Sequence, residues 1–126
     1  MIAESLLCLT LVVFHEARSE PVEAQVAVAQ VTLNRSRDKD YPSSICEVVY
    51  EPKAFSWTSS HKKRNLKESS IVNEQEKKAF LKAKRISSLI LSGKIYNPIG
   101  NRLFFSTHQQ YYTKNKPIKI GKMVYY

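Results

Sequence analysis

The chain has 126 residues, 43% of them hydrophobic, which is enough for one buried core and too little for two, so a single domain over residues 1–126 is expected. Twenty Lys and Arg against eleven Asp and Glu give a net charge of +9, which predicts attraction to polyanions: nucleic acid, anionic lipid or the acidic polymers of a bacterial envelope. Two cysteines indicate neither a disulfide scaffold nor a metal cluster, and three glycines at 93, 100 and 121 leave no phosphate-binding glycine loop.

In chain order, the first predicted element is organised around Leu6 to Phe14, apolar on every side apart from Thr10. A helix with no solvent face is a buried axle, and Cys8 within it reads as a small buried hydrophobe. At nine residues the run is too short to span a bilayer. Glu4 precedes it, no basic residue does, and no small-residue cleavage site follows, so it reads as core rather than as an export signal, and no stable membrane insertion is expected. The run ends in His15, Glu16 and Arg18, and Glu20-Pro21 stops the helix because proline and the residue before it resist helical geometry. Glu16 therefore sits at the negative pole of the helix dipole beside apolar neighbours. Both conditions disfavour its anion and raise its pKa, as a general acid working near neutral pH requires. The plainer alternative is a helix-end carboxylate paired with Arg18 or left in solvent. Glu20 adds like-charge repulsion only if the helix continues past Ala17.

A second helix begins at Pro21, with Val22, Val26, Ala29 and Leu33 on one face and Val28 and Val31 beside them, against a polar face of Glu23, Gln30, Asn34 and Arg37. The short connection makes an αα-hairpin. After a polar loop from Asp38 to Pro42, Ser44 and Glu47 match a capping box and open a short helix through Tyr50, ended by Glu51-Pro52. Lys53 to Thr58 is read as a loop carrying Phe55, divided between core and groove, and Trp57, whose hydroxyl-bearing neighbours suit the wall of a groove for sugar rings. Ser59 to Ser70 is basic, with His61-Lys62-Lys63-Arg64 and Lys67, and reads first as a solvated loop, second as a polyanion contact. Asn73 and Glu76 box the start of a long helix that Gly93 stops, with Ala79, Phe80, Ala83, Ile86, Leu89 and Ile90 on its buried face. Then come turn chemistry at Asn97 to Asn101, a strand at Leu103 to Ser106, and a hairpin of Ile118 to Ile120 and Met123 to Tyr125 about Gly121-Lys122. Helices first and a small C-terminal antiparallel sheet last make the fold class α+β.

Several chemistries are excluded. His15-Glu16 opens like a zinc-protease helix, but position 19 is serine where the second histidine belongs, so no metal is expected. No serine has a nucleophile elbow, and nothing places His108 beside a nucleophile. A basic nucleic-acid-binding module stays open as the competing class, suggested by the charge of +9 and the basic loop, although such a module would interleave basic and aromatic residues and here the basic run lies apart from Tyr111-Tyr112 and Tyr125-Tyr126.

Phe14-His15-Glu16-Ala17-Arg18-Ser19-Glu20-Pro21, then Gln25 to Val31 with Leu33-Asn34-Arg35, resembles the opening signature of the spore-cortex-lytic cell wall hydrolase family. The resemblance continues through Tyr41 to Tyr50, Pro52 and Phe55-Ser56-Trp57-Thr58, and returns at Leu103-Phe104-Phe105, Ile120-Gly121 and Val124-Tyr125-Tyr126, leaving out about Ser59 to Tyr96. Ser19 and Ala24 stand where the family commonly has glycine, and Met123 where histidine is frequent, so no chemistry is assigned to Met123. The resemblance implies a mostly helical, lysozyme-like or resuscitation-factor-like α+β domain that cleaves peptidoglycan, with Glu16 as its catalytic acid and no cofactor. The implied reaction is lytic transglycosylation between N-acetylmuramic acid and N-acetylglucosamine. The runner-up is hydrolysis using a second carboxylate, for which Glu20, Glu47 and Glu51 remain, Glu74 and Glu76 being assigned to the cap of a distant helix. Ser56, Trp57, Phe105 and Ser106 are the expected substrate contacts, with Glu20 and Gln30 supporting Glu16. The expected partner is the glycan strand, bound by a monomer. A basic wall hydrolase without export signal or wall-binding module resembles a phage lysis enzyme, held in the host cytoplasm until a separate pore releases it to the wall.

Overall fold

An apolar helix needs a partner on every side, and the later elements supply them from Cys8 onward while Leu7 stays exposed. The computed structural model describes residues 2–107 and 116–126. It runs α1 (Ile2–Ala17), α2 (Val22–Ser36), α3 (Ile45–Val49), α4 (His61–Arg64) and α5 (Glu74–Leu91), followed by β1 (Phe105–Ser106), β2 (Ile118–Ile120) and β3 (Met123–Tyr125). The fold is α+β, mostly helical with a small antiparallel sheet, as expected. His108 and Tyr111-Tyr112 lie outside the described residues.

Every residue from Leu9 to Phe14 is buried, packed by α2, α3 and α5. Thr10 enters this core by donating its hydroxyl to Leu6 O at 2.6 Å, which leaves the side chain with no unmet polar need. Helix α2 is still more enclosed, with Ala24 through Leu33 all buried. The expected polar face is therefore narrower than its pattern implied: Gln30 is buried, while Val22, assigned to the core, is exposed. A helix flanked by α1, α3 and α5 has few directions left in which to show an outside.

One expectation is overturned outright. Cys8 of α1 and Cys46 of α3 form a disulfide, their Cα atoms 5.4 Å apart, although 38 positions separate them. Cys8 is not the isolated small hydrophobe read from the sequence, because the packing of α3 on α1 brings Cys46 to it. The basic stretch is likewise more ordered than a solvated loop: it contains α4 and a 3-10 turn at Glu68–Ser70, and Ser56–Ser59 forms another.

The three strands are ordered β1-β3-β2, with Phe105 opposite Tyr125 and Ile120 opposite Met123. The first strand is shorter than predicted, although Phe104 still exchanges backbone bonds with Tyr126, both at 2.9 Å. Tyr125 is wholly buried and fastens the sheet to α2 by donating to Ala24 O at 3.2 Å. Asn34 and Arg35 hold the approach to the sheet. Asn34 Nδ2 donates to Gly100 O and Arg102 O at 2.9 and 2.8 Å, and Arg35 Nε donates to Leu103 O at 2.7 Å. Gln30, expected to support Glu16, donates to Asn34 Oδ1 at 2.8 Å and so belongs to this clasp.

The hairpin meets the α1–α2 bend at Glu20, whose Oε1 accepts from Lys122 N at 3.0 Å. Gly121 has φ +60°, and a Cβ there would stand 2.8 Å from the same Oε1. Gly93 has φ +68°, and a Cβ there would meet nothing within 4 Å, so the two positions share the backbone strain and differ in the contact. Gly93→Ala should cost about 1–2 kcal/mol from conformation alone, and Gly121→Ala about 1 kcal/mol more from the displaced Glu20 bond. Equal denaturant midpoints for the two variants would show that the Glu20 contact contributes nothing.

Candidate active site

Helix α1 stops at Ala17, where Glu20 N bonds back to Ala17 O at 2.9 Å and the chain turns toward Pro21. Glu16 is thus in the last turn, and the repulsive helical spacing with Glu20 does not arise. Its side chain opens into a pocket of about 550 Å³. Phe14, His15 and Glu16 of α1, with Arg18 just past its end, form one side; Ser56 and Trp57, the α4 lysines, and a wall of Leu66, Ile71 and Val72 form the rest, closed by Asn73 and Glu76 at the start of α5.

Burial raises the pKa of Glu16, the direction expected from its position. No hydrogen-bond or ion-pair partner holds its carboxylate among the described residues. The plainer alternative, pairing with Arg18, is not realised. Arg18 Nε meets Glu76 Oε2 at 3.3 Å, its Nη1 donates to Phe14 O at 3.3 Å, and its guanidinium lies over the Phe14 ring, 4.8 Å from the centroid. Arg18, the cation nearest Glu16 in the chain, is committed elsewhere.

An aromatic row stiffens the site. Ring centroids run Phe105 to Phe55 at 6.4 Å, Phe55 to Trp57 at 6.0 Å, Trp57 to His15 at 4.6 Å and His15 to Phe14 at 5.2 Å. Ser56 and Trp57, expected to contact substrate, line the pocket. Trp57 is buried as well, and its Nε1 has no partner among the described residues. Phe105 and Ser106 do not line the pocket: Phe105 stands at the far end of the aromatic row, packed on Tyr125 at 6.1 Å, and Ser106 pairs with Val124 in the sheet. Glu20, expected to support Glu16, also lies outside the lining, held by Lys122.

Four residues of the lining were given no site role by the sequence: His15, Lys62, Lys63 and Glu76. His15 shares a nitrogen contact of 2.9 Å with Lys63 O, and burial pushes its pKa down, so the neutral ring donates Nε2–H and ties α4 to α1. Lys62 and Lys63 sit at the mouth of the pocket. Glu76, assigned to a distant cap, does supply its N–H to Asn73 Oδ1 at 3.0 Å, but its carboxylate turns to Arg18 inside the pocket. The capping motif marked where α5 begins; nothing in it told that α5 begins against the end of α1.

Residues 19–126 match the pattern of the family described as cell wall hydrolase. The chain belongs to the cell wall hydrolase family. The family match starts just after Glu16, yet similarity to individual relatives reaches further. The chain is 32% identical over 118 residues to a spore cortex-lytic enzyme of Bacillus cereus, covering 90% of this chain and 40% of that protein. It therefore spans about 40% of the length of that curated relative. Among solved structures it is similar to the catalytic domain of the germination-specific lytic transglycosylase SleB from Bacillus anthracis, with TM-score 0.65 and 30% identity over 96% of this chain and 92% of that one. It is also similar to the catalytic domain of the Bacillus cereus SleB protein, with TM-score 0.63 and 30% identity over 97% of this chain and 89% of the other. In this cell wall hydrolase, the end of α1, the Ser56-Trp57 turn and the start of α5 enclose one carboxyl group kept short of counter-charge.

Proposed function

We propose that this domain degrades peptidoglycan by lytic transglycosylation at the bond between N-acetylmuramic acid and N-acetylglucosamine, with Glu16 as both acid and base. The observation that carries the reading is a half-buried, unpaired carboxyl of raised pKa opening into a pocket large enough for sugar rings. Similarity to a domain titled a lytic transglycosylase supports it. Protonated Glu16 gives its proton to the glycosidic oxygen as the bond from that oxygen to the muramoyl anomeric carbon breaks. The resulting carboxylate takes the proton of the muramoyl primary hydroxyl, whose oxygen bonds to the anomeric carbon. An anhydromuramoyl end forms, the departing sugar keeps its hydroxyl, and Glu16 is protonated again. The wall of Leu66, Ile71 and Val72 offers apolar surface to the rings.

Hydrolysis is the second reading, because among the described residues the lining holds another carboxylate, Glu76. Glu20, Glu47 and Glu51 lie outside it. Glu76 is matched by Arg18, which suits a strut between α1 and α5 better than a nucleophile or base. Digesting purified sacculi in heavy-oxygen water separates the two. Unlabelled anhydro ends are expected, and Glu76→Gln should leave turnover within about tenfold of the parent, less than the usual loss of an acid or base. Label in new reducing ends together with an inactive, folded Glu76→Gln enzyme would replace transglycosylation by hydrolysis.

We read the working form as a monomer on glycan strands, with no nucleic-acid partner. Supporting this, the basic α4 faces the pocket mouth, Tyr125 is buried, and Tyr126 stacks on Phe104 at 5.5 Å, so these tyrosines offer no open stacking surface beside the lysines. The place of action is the wall, consistent with the Cys8–Cys46 bridge, since disulfides persist in oxidising surroundings. For a phage lysis enzyme held in host cytoplasm, the bridge would close on release.

A further inference from the structure

The α4 turn is built with more fastening than a solvated basic loop requires. Its backbone is tied to α1 by His15 at Lys63 O, 2.9 Å, and to the end of α3 by Tyr50, whose hydroxyl donates to Arg64 O at 3.3 Å. Ser60 Oγ accepts from Lys63 N at 3.3 Å, and Asn65 Nδ2 donates to His61 O at 2.8 Å. The Arg64 guanidinium lies 4.8 Å from the centroid of the Tyr50 ring. The outcome is that Lys62 and Lys63 are set on the lip of the pocket that holds Glu16.

These two ammonium groups have no carboxylate partner among the described residues, whereas the third cation of the lining, Arg18, has Glu76. A pair of unmatched cations at a fixed place repels itself and stands ready for an anion from outside. The same lining carries an apolar stretch of Leu66, Ile71 and Val72, with Val72 94% exposed. An apolar stretch and a cationic lip in one pocket match a ligand that carries both carbon surface and a carboxylate. The side arm of a muramoyl sugar has that character: a lactyl group carrying either a free carboxylate or a peptide that bears carboxylates. Resting on the peptidoglycan reading above, we propose that Lys62 and Lys63 form a subsite for a carboxylate on the muramoyl arm, making this enzyme select acid-bearing over charge-neutral glycan.

The test compares the parent with Lys62→Gln/Lys63→Gln on three glycans: one with intact peptides, one stripped to free lactyl carboxylates, and one stripped and then capped as neutral methylamides. On at least one carboxylate-bearing glycan the double variant should raise KM on the order of fivefold, the scale of two exposed charge contacts, with kcat little changed. On the capped glycan it should match the parent. Added salt should erase the parent's advantage, and Lys62→Arg/Lys63→Arg should restore it. A defect on intact but not stripped glycan places the carboxylate on the peptide; a defect on stripped glycan places it on the lactyl group; both uphold the subsite. An equal ratio of parent to variant on all three glycans overturns it while leaving the glycosidase reading in place. If the parent cleaves none of them, both readings fall.

Discussion

Glu16→Gln is expected to lower turnover on purified sacculi by at least about a hundredfold, the usual scale for losing a general acid, while making the fold more stable at neutral pH. The two effects share one cause. Burial raises the pKa of Glu16, so folding must keep a poorly hydrated carboxyl from ionising, or ionise it at a cost. The sign follows from linkage: the contribution of a carboxyl whose folded pKa is raised is fully present below its unfolded pKa, about 4.3, and is lost as pH rises through the folded value. Glutamine has nearly the same shape and does not titrate, so the melting temperature of the variant should exceed the parent's at pH 7 and approach it near pH 4. In the parent, kcat/KM should fall as pH rises through the raised pKa, because the acid form begins the reaction. A folded Glu16→Gln enzyme within tenfold of parental activity would remove this residue from the chemistry.

Loss of the Cys8–Cys46 bridge should produce the largest stability change. The cross-link spans 38 positions, and the chain-entropy relation then gives about 4 kcal/mol of stabilisation through the unfolded state. That is a large share of the roughly 5–15 kcal/mol by which a domain is stable. Cys8→Ser/Cys46→Ser should therefore unfold at markedly lower denaturant than the oxidised parent, and reductant should move the parent most of the way toward the variant without shifting the variant itself. Neither cysteine lines the Glu16 pocket, so activity at low temperature should survive in whatever fraction stays folded. Coincident midpoints for oxidised and reduced parent would mean that the bridge contributes nothing.

The parts of the site legible in the sequence were those encoded locally. Leu6 to Phe14 announces a buried helix by having no polar face, Pro21 announces its stop, and together they put Glu16 at a helix end among apolar side chains. Trp57, through its hydroxyl-bearing neighbours, announced a pocket edge by composition alone, while Phe55 went to the core. Phe105 falls outside the pocket lining, since a phenylalanine in a short strand looks the same whether it lines a pocket or, as here, closes an aromatic stack against Phe55 and Tyr125. Gln30 and Glu20 also fall outside the lining: each is polar and near Glu16 in the chain, yet Asn34 and Lys122 engage them.

Sequence by itself determined the order and type of the main elements, the α+β class, the hairpin about Gly121-Lys122 and the perturbed helix-end carboxyl, since each depends on neighbours within a few turns. Only the tertiary structure decided that Cys46 reaches Cys8, that Glu76 draws Arg18 away from Glu16, and that Lys62 and Lys63 stand at the pocket mouth. Those are meetings between residues tens of positions apart. They follow from how α3, α4 and α5 dock on α1, and docking is set by the shape of the whole core, which no local pattern of hydrophobicity or capping records.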